Sequence, residues 1–285
     1  MRHNFAVLIL THGRSNHIKT LDSLKRGGYT GKTYIVIDNE DKTADEYHKR
    51  FGDSVVMFDK LDIANRYDTG DNFNERRAIF YARNASFEIA KKLGLDYFLE
   101  LDDDYTSFMF RKERDGKLIG IECRQLDRLF DDMLDFLDTS GADTVALAQG
   151  GDYIGGAQGS LLEQGIKRKA MNTFFCKTDR PFQFVGRVNE DVNTYTSLGS
   201  RGRLLMTITR ACITQLMTQS NGGGMTDLYL DSGTYLKSFY TVMYAPSCCK
   251  IGVMGSFHKR IHHQISWNNC TPMIISEKYK KGIKK

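Results

Sequence analysis

Short, unbroken apolar runs alternate with amphipathic stretches along the first hundred residues. "FAVLILTH" (5–12) has the length and continuity of a strand covered on both faces. In "GRSNHIKTLDSLKRGG", Ser15 or Asn16 is placed to cap a helix bearing Ile18, Leu21 and Leu24, closed by Gly27 and Gly28. "KTYIVIDNED" (32–41) predicts a second strand ending in acids, "TADEYHKRFG" a short helix with a glycine stop, and "SVVMFD" (54–59) a third strand. "NFNERRAIFYARNASFEIAKKLG" (72–94) reads as one long helix, and "DYFLELDDD" (96–104) as a fourth strand running into three carboxylates.

Strand and helix alternating four times at short spacing predict an α/β fold. It is Rossmann-like, with a mostly parallel central sheet and helices on both faces. In such sheets ligands bind beyond the carboxyl ends of the strands. Three polar strand ends, Thr11–Arg14, Asp38–Glu40 and Asp102–Asp104, are expected to converge there. Further on the pattern loosens into an irregular C-terminal extension. A hairpin turning at Asp115–Gly116, a helix over 124–141 and a strand at "DTVALAQ" are predicted. "NTFFC…SLGSRG" follows as a strand, a turn and a polar segment leading into a helix. The glycine-rich stretches 150–160 and 221–227 read as mobile loops. No internal repeat or linker interrupts the chain. One domain over 1–285 is expected, with a nucleotide-binding half (1–104) and an acceptor-binding half (105–285).

Composition adds little until it is resolved along the chain. At 285 residues and 41% hydrophobic content there is material for a real core, and no apolar run is long enough for a membrane span. The apolar N-terminal run is too short for a secretory signal. None of the six cysteines forms a CxxC pair; small apolar strand residues in a reducing, cytoplasmic compartment is the expectation. Residues 192–285 carry 12 Lys/Arg against 3 Asp/Glu, a net of +9, leaving 28 against 32 elsewhere, a net of −4. A basic C-terminal third suits a polyanion, though a Lys-rich solvated tail accounts for part of it.

Five groups carry candidate chemistry. Asp102 and Asp104 are alternate residues at a strand end, so they point together and suit a hard divalent cation, Mn²⁺ or Mg²⁺; an acidic solvated turn is the plain alternative. Asp38 ends the second strand, where it can accept from a nucleobase or ribose or simply form a turn. Arg76, Arg77, Arg83 and Asn84 fall on the expected long helix, where Arg76 and Arg83, seven apart, share a face and can reach phosphate or base; an ordinary charged helix surface is the plain alternative. Glu190 and Asp191 in "VGRVNEDVNTY" precede a helix, as caps or as a general base. His258, His262 and His263 cluster with Lys259 and Arg260; one neutral imidazole, His258 first, can complete a metal site.

These segments resemble the GT-A glycosyltransferases. The likeness rests on "LILTHGRSN", "YIVIDNED", "YARNAS", the DxD-like "FLELDDD" and the acceptor-side "NEDVN". In detail the chain is most similar to the phage TET-associated glycosyltransferases, which modify 5-hydroxymethylpyrimidines in DNA. The resemblance implies a GT-A fold and a nucleotide-sugar donor, UDP-linked in the first instance. It also implies DNA containing 5-hydroxymethylcytosine as acceptor, with no membrane partner. It further implies that Thr11, Arg14, Asp38, Arg76, Arg83, Asn84, Asp102 and Asp103 line the nucleotide sugar, and that Asp102, Asp104 and His258 hold Mn²⁺ or Mg²⁺. Asp191 would be the catalytic base, with Glu190 in reserve. Three rivals stand beside it: the same fold acting on a protein or polysaccharide, a non-catalytic nucleic-acid-binding protein, and a nucleotidyltransferase. The last usually shows a glycine-rich phosphate loop, and "THGRSN" has one glycine.

Overall fold

The two faces of strand β1 (Phe5–Leu10) belong to different cores. Phe5, Val7 and Ile9 pack into one cluster, Ala6, Leu8 and Leu10 into the other. All six are buried, which is why the run is apolar without alternation. The computed structural model describes residues 3–71, 73–153, 156–158, 166–215, 225–255, 259–270 and 276–279, with the side chains of 158, 166–167 and 225–234 excepted.

After β1 come α1 (Lys19–Arg26), β2 (Lys32–Asp38), α2 (Ala44–Phe51), β3 (Val55–Phe58), α3 (Lys60–Arg66), α4 (Phe80–Lys92) and β4 (Tyr97–Asp102). The second half holds β5 (Tyr105–Arg114), β6 (Lys117–Glu122), α5 (Leu126–Ser140), β7 (Thr144–Ala148), β8 (Ile166–Lys167) and β9 (Phe174–Lys177). It continues with α6 (Glu190–Gly199), β10 (Leu205–Gln215), α7 (Met225–Tyr244), β11 (Cys249–Met254), β12 (Arg260–Ile265) and a short α8 (Trp267–Cys270).

One sheet takes strands from both halves in the order β3-β2-β1-β4-β9-β7-β10-β5-β6, with β8 beside β10. The first four are parallel. β9 runs antiparallel between β4 and β7, and β7 and β10 are parallel. β5 and β8 oppose β10, and β6 opposes β5. Only β9, β5 and β8 therefore run against the common direction of a mostly parallel sheet. One face is covered by α1 and α5, through Leu24, Phe130, Leu134 and Leu137; the other by α3, α4 and α6, through Ile63, Phe80, Phe87, Val192 and Tyr195. β11 and β12 form a separate two-stranded ribbon.

Several local expectations change. The long helix over 72–94 is α4 alone, starting at Phe80. Asp71 and Glu75 accept from the backbone N–H groups of Phe73 and Arg77, and Asn74 has φ 54°, so side-chain bonds and a left-handed residue displace the helix there. Arg76 thus lies off the helix and shares no face with Arg83. Neither Ser15 nor Asn16 caps α1; Ile18 precedes it without a side-chain cap, and the Ser15 hydroxyl donates to Glu46 instead. α3 was not anticipated; Asp59 caps it by accepting from the N–H of Asp62. The hairpin turns as expected, with positive φ at Asp115 and Gly116. Of the glycine-rich stretches, 150–153 and 156–158 form 3₁₀ turns, 225–227 begin α7, and the rest lies outside the described residues. All six cysteines are free and buried. No described helix is long and apolar enough to cross a membrane.

Candidate active site

The chain leaves β1 toward β2 and β3 on one side and returns to β4 on the other, so the β1/β4 boundary is the switch point of the parallel half. Leu10 is in register with Asp102, and the loop after β1 and the acid run leave the sheet side by side. Asp103 ties them together. Its carboxylate is buried, accepts from the Thr11 hydroxyl at 2.6 Å and pairs with the Arg14 guanidinium at 2.8 Å. Tyr47 Oη accepts from the Arg14 N–H at 2.8 Å. The Thr11 proton is spent on Asp103, so Tyr47 donates to Thr11 Oγ1 across 3.1 Å. Gly13, at φ +69°, makes the turn that lets its N–H reach Asp41 at 2.7 Å. The loop is therefore fixed before any ligand arrives.

Asp38 lies next to it, at the end of β2. One oxygen meets His12 Nδ1 at 2.7 Å and Lys60 Nζ at 3.2 Å; the other accepts from the N–H of Glu40. Burial works against ionisation, but the His12 hydrogen bond and the Lys60 charge outweigh it and hold the carboxyl below its usual range.

Behind the acid run sits Arg83, wholly buried in α4 with its guanidinium 4.7 Å from the Phe174 ring centre and 5.8 Å from that of Phe184. Three carboxylates surround it: Glu190 at 3.0 Å, Asp102 at 3.2 Å and Glu100 at 3.8 Å. One cation cannot balance three carboxylates, of which Glu100 and Glu190 are buried and Asp102 is partly exposed. Desolvation, only partly offset by Arg83, pushes Glu100 up to about 8, and Asp102 and Glu190 up to about 7. Asp104, half-buried in the turn, is also raised, by burial and then by the charge of Asp103.

Glu190 and Asp191 do not precede α6; they are its first two residues, following Asn189 in a left-handed conformation. Glu190 turns to Arg83, whereas the Asp191 carboxylate accepts from the N–H of Val192 at 2.7 Å. Asn84, expected beside the donor, spends its amide on the backbone N–H and C=O of Phe184, and so positions the segment that leads into α6. Arg76 pairs with Glu40 at 2.7 Å, outside the cluster. His258 lies outside the described residues, and His262 and His263 lie on β12.

Residues 5–224 match the sequence profile of the TET-associated glycosyltransferases. The chain belongs to this family. It is a glycosyltransferase. No curated protein matches it. Similar solved structures include a mannosyltransferase from Pyrobaculum calidifontis with GDP-Man and Mn²⁺: 13% identity, TM-score 0.48, covering 75% of this chain and 57% of that one. Another is glucosyl-3-phosphoglycerate synthase from Mycobacterium tuberculosis with Mg²⁺ and UDP: 9% identity, TM-score 0.46, covering 93% and 88%. A third is S. aureus TarS with UDP-GlcNAc: 13% identity, TM-score 0.43, covering 78% and 60%.

In this family member the acid run and the α6 acids meet through Arg83, a link sequence spacing does not reveal. His12, Lys60 and Glu100 were not anticipated. Glu100 carried a signal, as a lone charge inside an apolar strand demands a buried partner. Lys60, directly behind the third strand, carried a weaker one. Among the described residues no three His, Cys, Asp or Glu side chains converge as a metal site. The donor chemistry still fits Mn²⁺ or Mg²⁺. Asp102 and Asp104 are oxygen donors in a region with excess negative charge, and two protein carboxylates leave room for water and phosphate ligands.

The cluster makes stability pH-dependent. A carboxyl whose pKa is raised in the fold contributes stability that is fully present below its unfolded value, about 4.3 for Glu, and is lost as pH rises through the folded value. With Glu100 at about 8 and Asp102 and Glu190 at about 7, the metal-free protein should lose stability steadily from pH 5 to pH 8. Added Mg²⁺ should flatten that decline. Thermal unfolding across this range, with and without the cation, measures it; a curve that rises toward pH 8 without metal would refute the charge assignment.

Proposed function

We propose that this glycosyltransferase moves a sugar from a nucleotide sugar, UDP-linked in the first instance, to the hydroxymethyl oxygen of 5-hydroxymethylcytosine in DNA. The observation that carries the reading is the match to the TET-associated family over residues 5–224, which spans both the acid run and the α6 acids. Thr11, Arg14, Asp38 and Arg76 line the nucleotide, and Asp103 holds the first two in place. Asp102 and Asp104 hold Mn²⁺ or Mg²⁺, which neutralises diphosphate charge when bound. Arg83 keeps Asp102 and Glu190 at fixed distance, and Asn84 sets the approach of α6. Asp191 takes the proton from the hydroxymethyl group as its oxygen attacks the anomeric carbon and the nucleoside diphosphate leaves. Asp191 suits that role better than Glu190, whose carboxylate is already committed to Arg83.

The 5-position of a pyrimidine faces the major groove, so the hydroxymethyl is reachable there or after the base is flipped. The test is to incubate the protein with a hydroxymethylcytosine-containing duplex, Mn²⁺ or Mg²⁺ and a panel of nucleotide sugars, then weigh the nucleosides by mass spectrometry. A hexose- or N-acetylhexosamine-sized gain on hydroxymethylcytosine, absent from unmodified DNA and lost in Asp104→Asn, is expected. Unchanged DNA with every donor would overturn the acceptor.

A further inference from the structure

The stretch 232–276 contains no Asp or Glu, yet holds Lys237, Lys250, Lys259 and Arg260. The fold sorts these residues. Across the β11–β12 ribbon, directly opposed residues share a face, and the pairs are Lys250 with Gln264, Gly252 with His262, and Met254 with Arg260. That face is basic and polar, with Lys250, Met254, Arg260 and Gln264 exposed. The Gln264 amide lies across Gly252, within 2.4 Å of where a Cβ would stand, which keeps the face low. The alternate face carries Cys249, Ile251, Val253, Ile261, His263 and Ile265. The ribbon is fastened to α7, where the Ser238 hydroxyl donates to the Ile261 carbonyl at 3.1 Å.

The elements that flank the ribbon, α7 before it and α8 after it, are tied to the acid-bearing helix at two points. Asn189, immediately before Glu190, donates to the Lys237 carbonyl at 2.5 Å and to the Thr241 hydroxyl at 3.2 Å, both on α7. Trp267, just after β12, stacks on Tyr195 of α6 with ring centres 5.8 Å apart and planes 12° apart. Tyr195 is one helical turn beyond Asp191, so the root of the ribbon stands beside the proposed base. Six residues of strand reach about 20 Å. That matches roughly six base steps at 3.4 Å per step along one strand. A two-stranded ribbon also has the width to lie along a groove.

We propose that the basic face of the β11–β12 ribbon, through Lys250 and Arg260, grips the sugar-phosphate backbone of the acceptor polynucleotide and delivers its modified base to the first turn of α6. This rests on the DNA-acceptor reading above and adds the surface that makes it work. A single nucleotide needs no such grip, so the ribbon acts on polymers only.

The test compares wild type with Lys250→Gln/Arg260→Gln, using a 30-mer carrying hydroxymethylcytosine and, separately, free 5-hydroxymethyl-dCMP. DNA affinity is read at several salt concentrations, and transfer by mass spectrometry. The variant should bind the 30-mer about 10-fold more weakly at low salt, with a salt slope shallower by about 2. Its melting temperature and its rate on the free nucleotide should be unchanged, and Lys250→Arg/Arg260→Lys should restore binding. An unchanged slope, or a wild type that does not bind DNA, overturns the ribbon assignment. If binding weakens as stated but wild type glycosylates no nucleoside, the ribbon stands and the acceptor reading falls.

Discussion

An Asp191→Asn enzyme should hold its nucleotide sugar as wild type does and transfer it about 10²- to 10⁴-fold more slowly, the range typical of a lost general base. The substitution is conservative for the fold. The Asp191 carboxylate accepts the N–H of Val192, and an amide oxygen accepts it equally well. Glu190→Gln should behave differently. Glu190 partners Arg83, so that variant should shift donor affinity and stability alongside rate. Single-turnover rates with saturating donor, together with donor affinity from calorimetry, separate the two. If Glu190→Gln abolishes transfer while Asp191→Asn stays within tenfold of wild type, the base is Glu190.

Arg83→Met should cost about 1–3 kcal/mol at pH 7.5, where the carboxyls around it are still partly ionised and lose the cation they share. Methionine keeps apolar contact with Phe174 and Phe184, so packing alone does not explain such a loss. The cost should shrink at pH 5.5. Glu100, Asp102 and Glu190 are already held at about 7 to 8 with the guanidinium present, and without it they protonate more readily still. Urea unfolding of both proteins at pH 7.5 and 5.5 checks this. An equal cost at the two pH values would mean that Arg83 acts through packing rather than charge.

The alternating first half was legible in the sequence because β1 is buried on both faces and reads as an unbroken apolar run, and β4 reads the same way but for Glu100. The acid run and the Glu190–Asp191 pair were legible because carboxylates at strand and helix ends stand out against such runs. Other parts depend on tertiary placement. Nothing local tells β9 to enter antiparallel between β4 and β7, 72 residues after β4 ends at Asp102 and β9 begins at Phe174. Arg83 stood out as a cation on a helix; its place among three carboxylates needed Glu100 and Glu190 to arrive from elsewhere. Asp38 stood out at the end of β2, but its partners His12 and Lys60 come from the loop after β1 and the start of α3, which spacing does not bring together. The false helix at 73–79 shows the converse, with polar side chains capturing backbone groups that apolar spacing had assigned to a helix.

The insertion of β9 also bears on how the protein is made. While the ribosome has delivered only the parallel strands β3-β2-β1-β4, the outer edge of β4 has no partner, and Glu100 and Asp102 have no roof of Phe174 and Phe184 over Arg83. That edge is apolar and hydrogen-bond-hungry, the kind that pairs with neighbouring nascent chains. Closure waits until residue 177 has cleared the exit tunnel, and the first acids of α6 follow shortly after, at 190 and 191. These four strands should therefore spend a defined interval of synthesis in need of a chaperone. Ribosome-bound chains halted before 174 should be markedly more aggregation-prone than those halted well beyond 191.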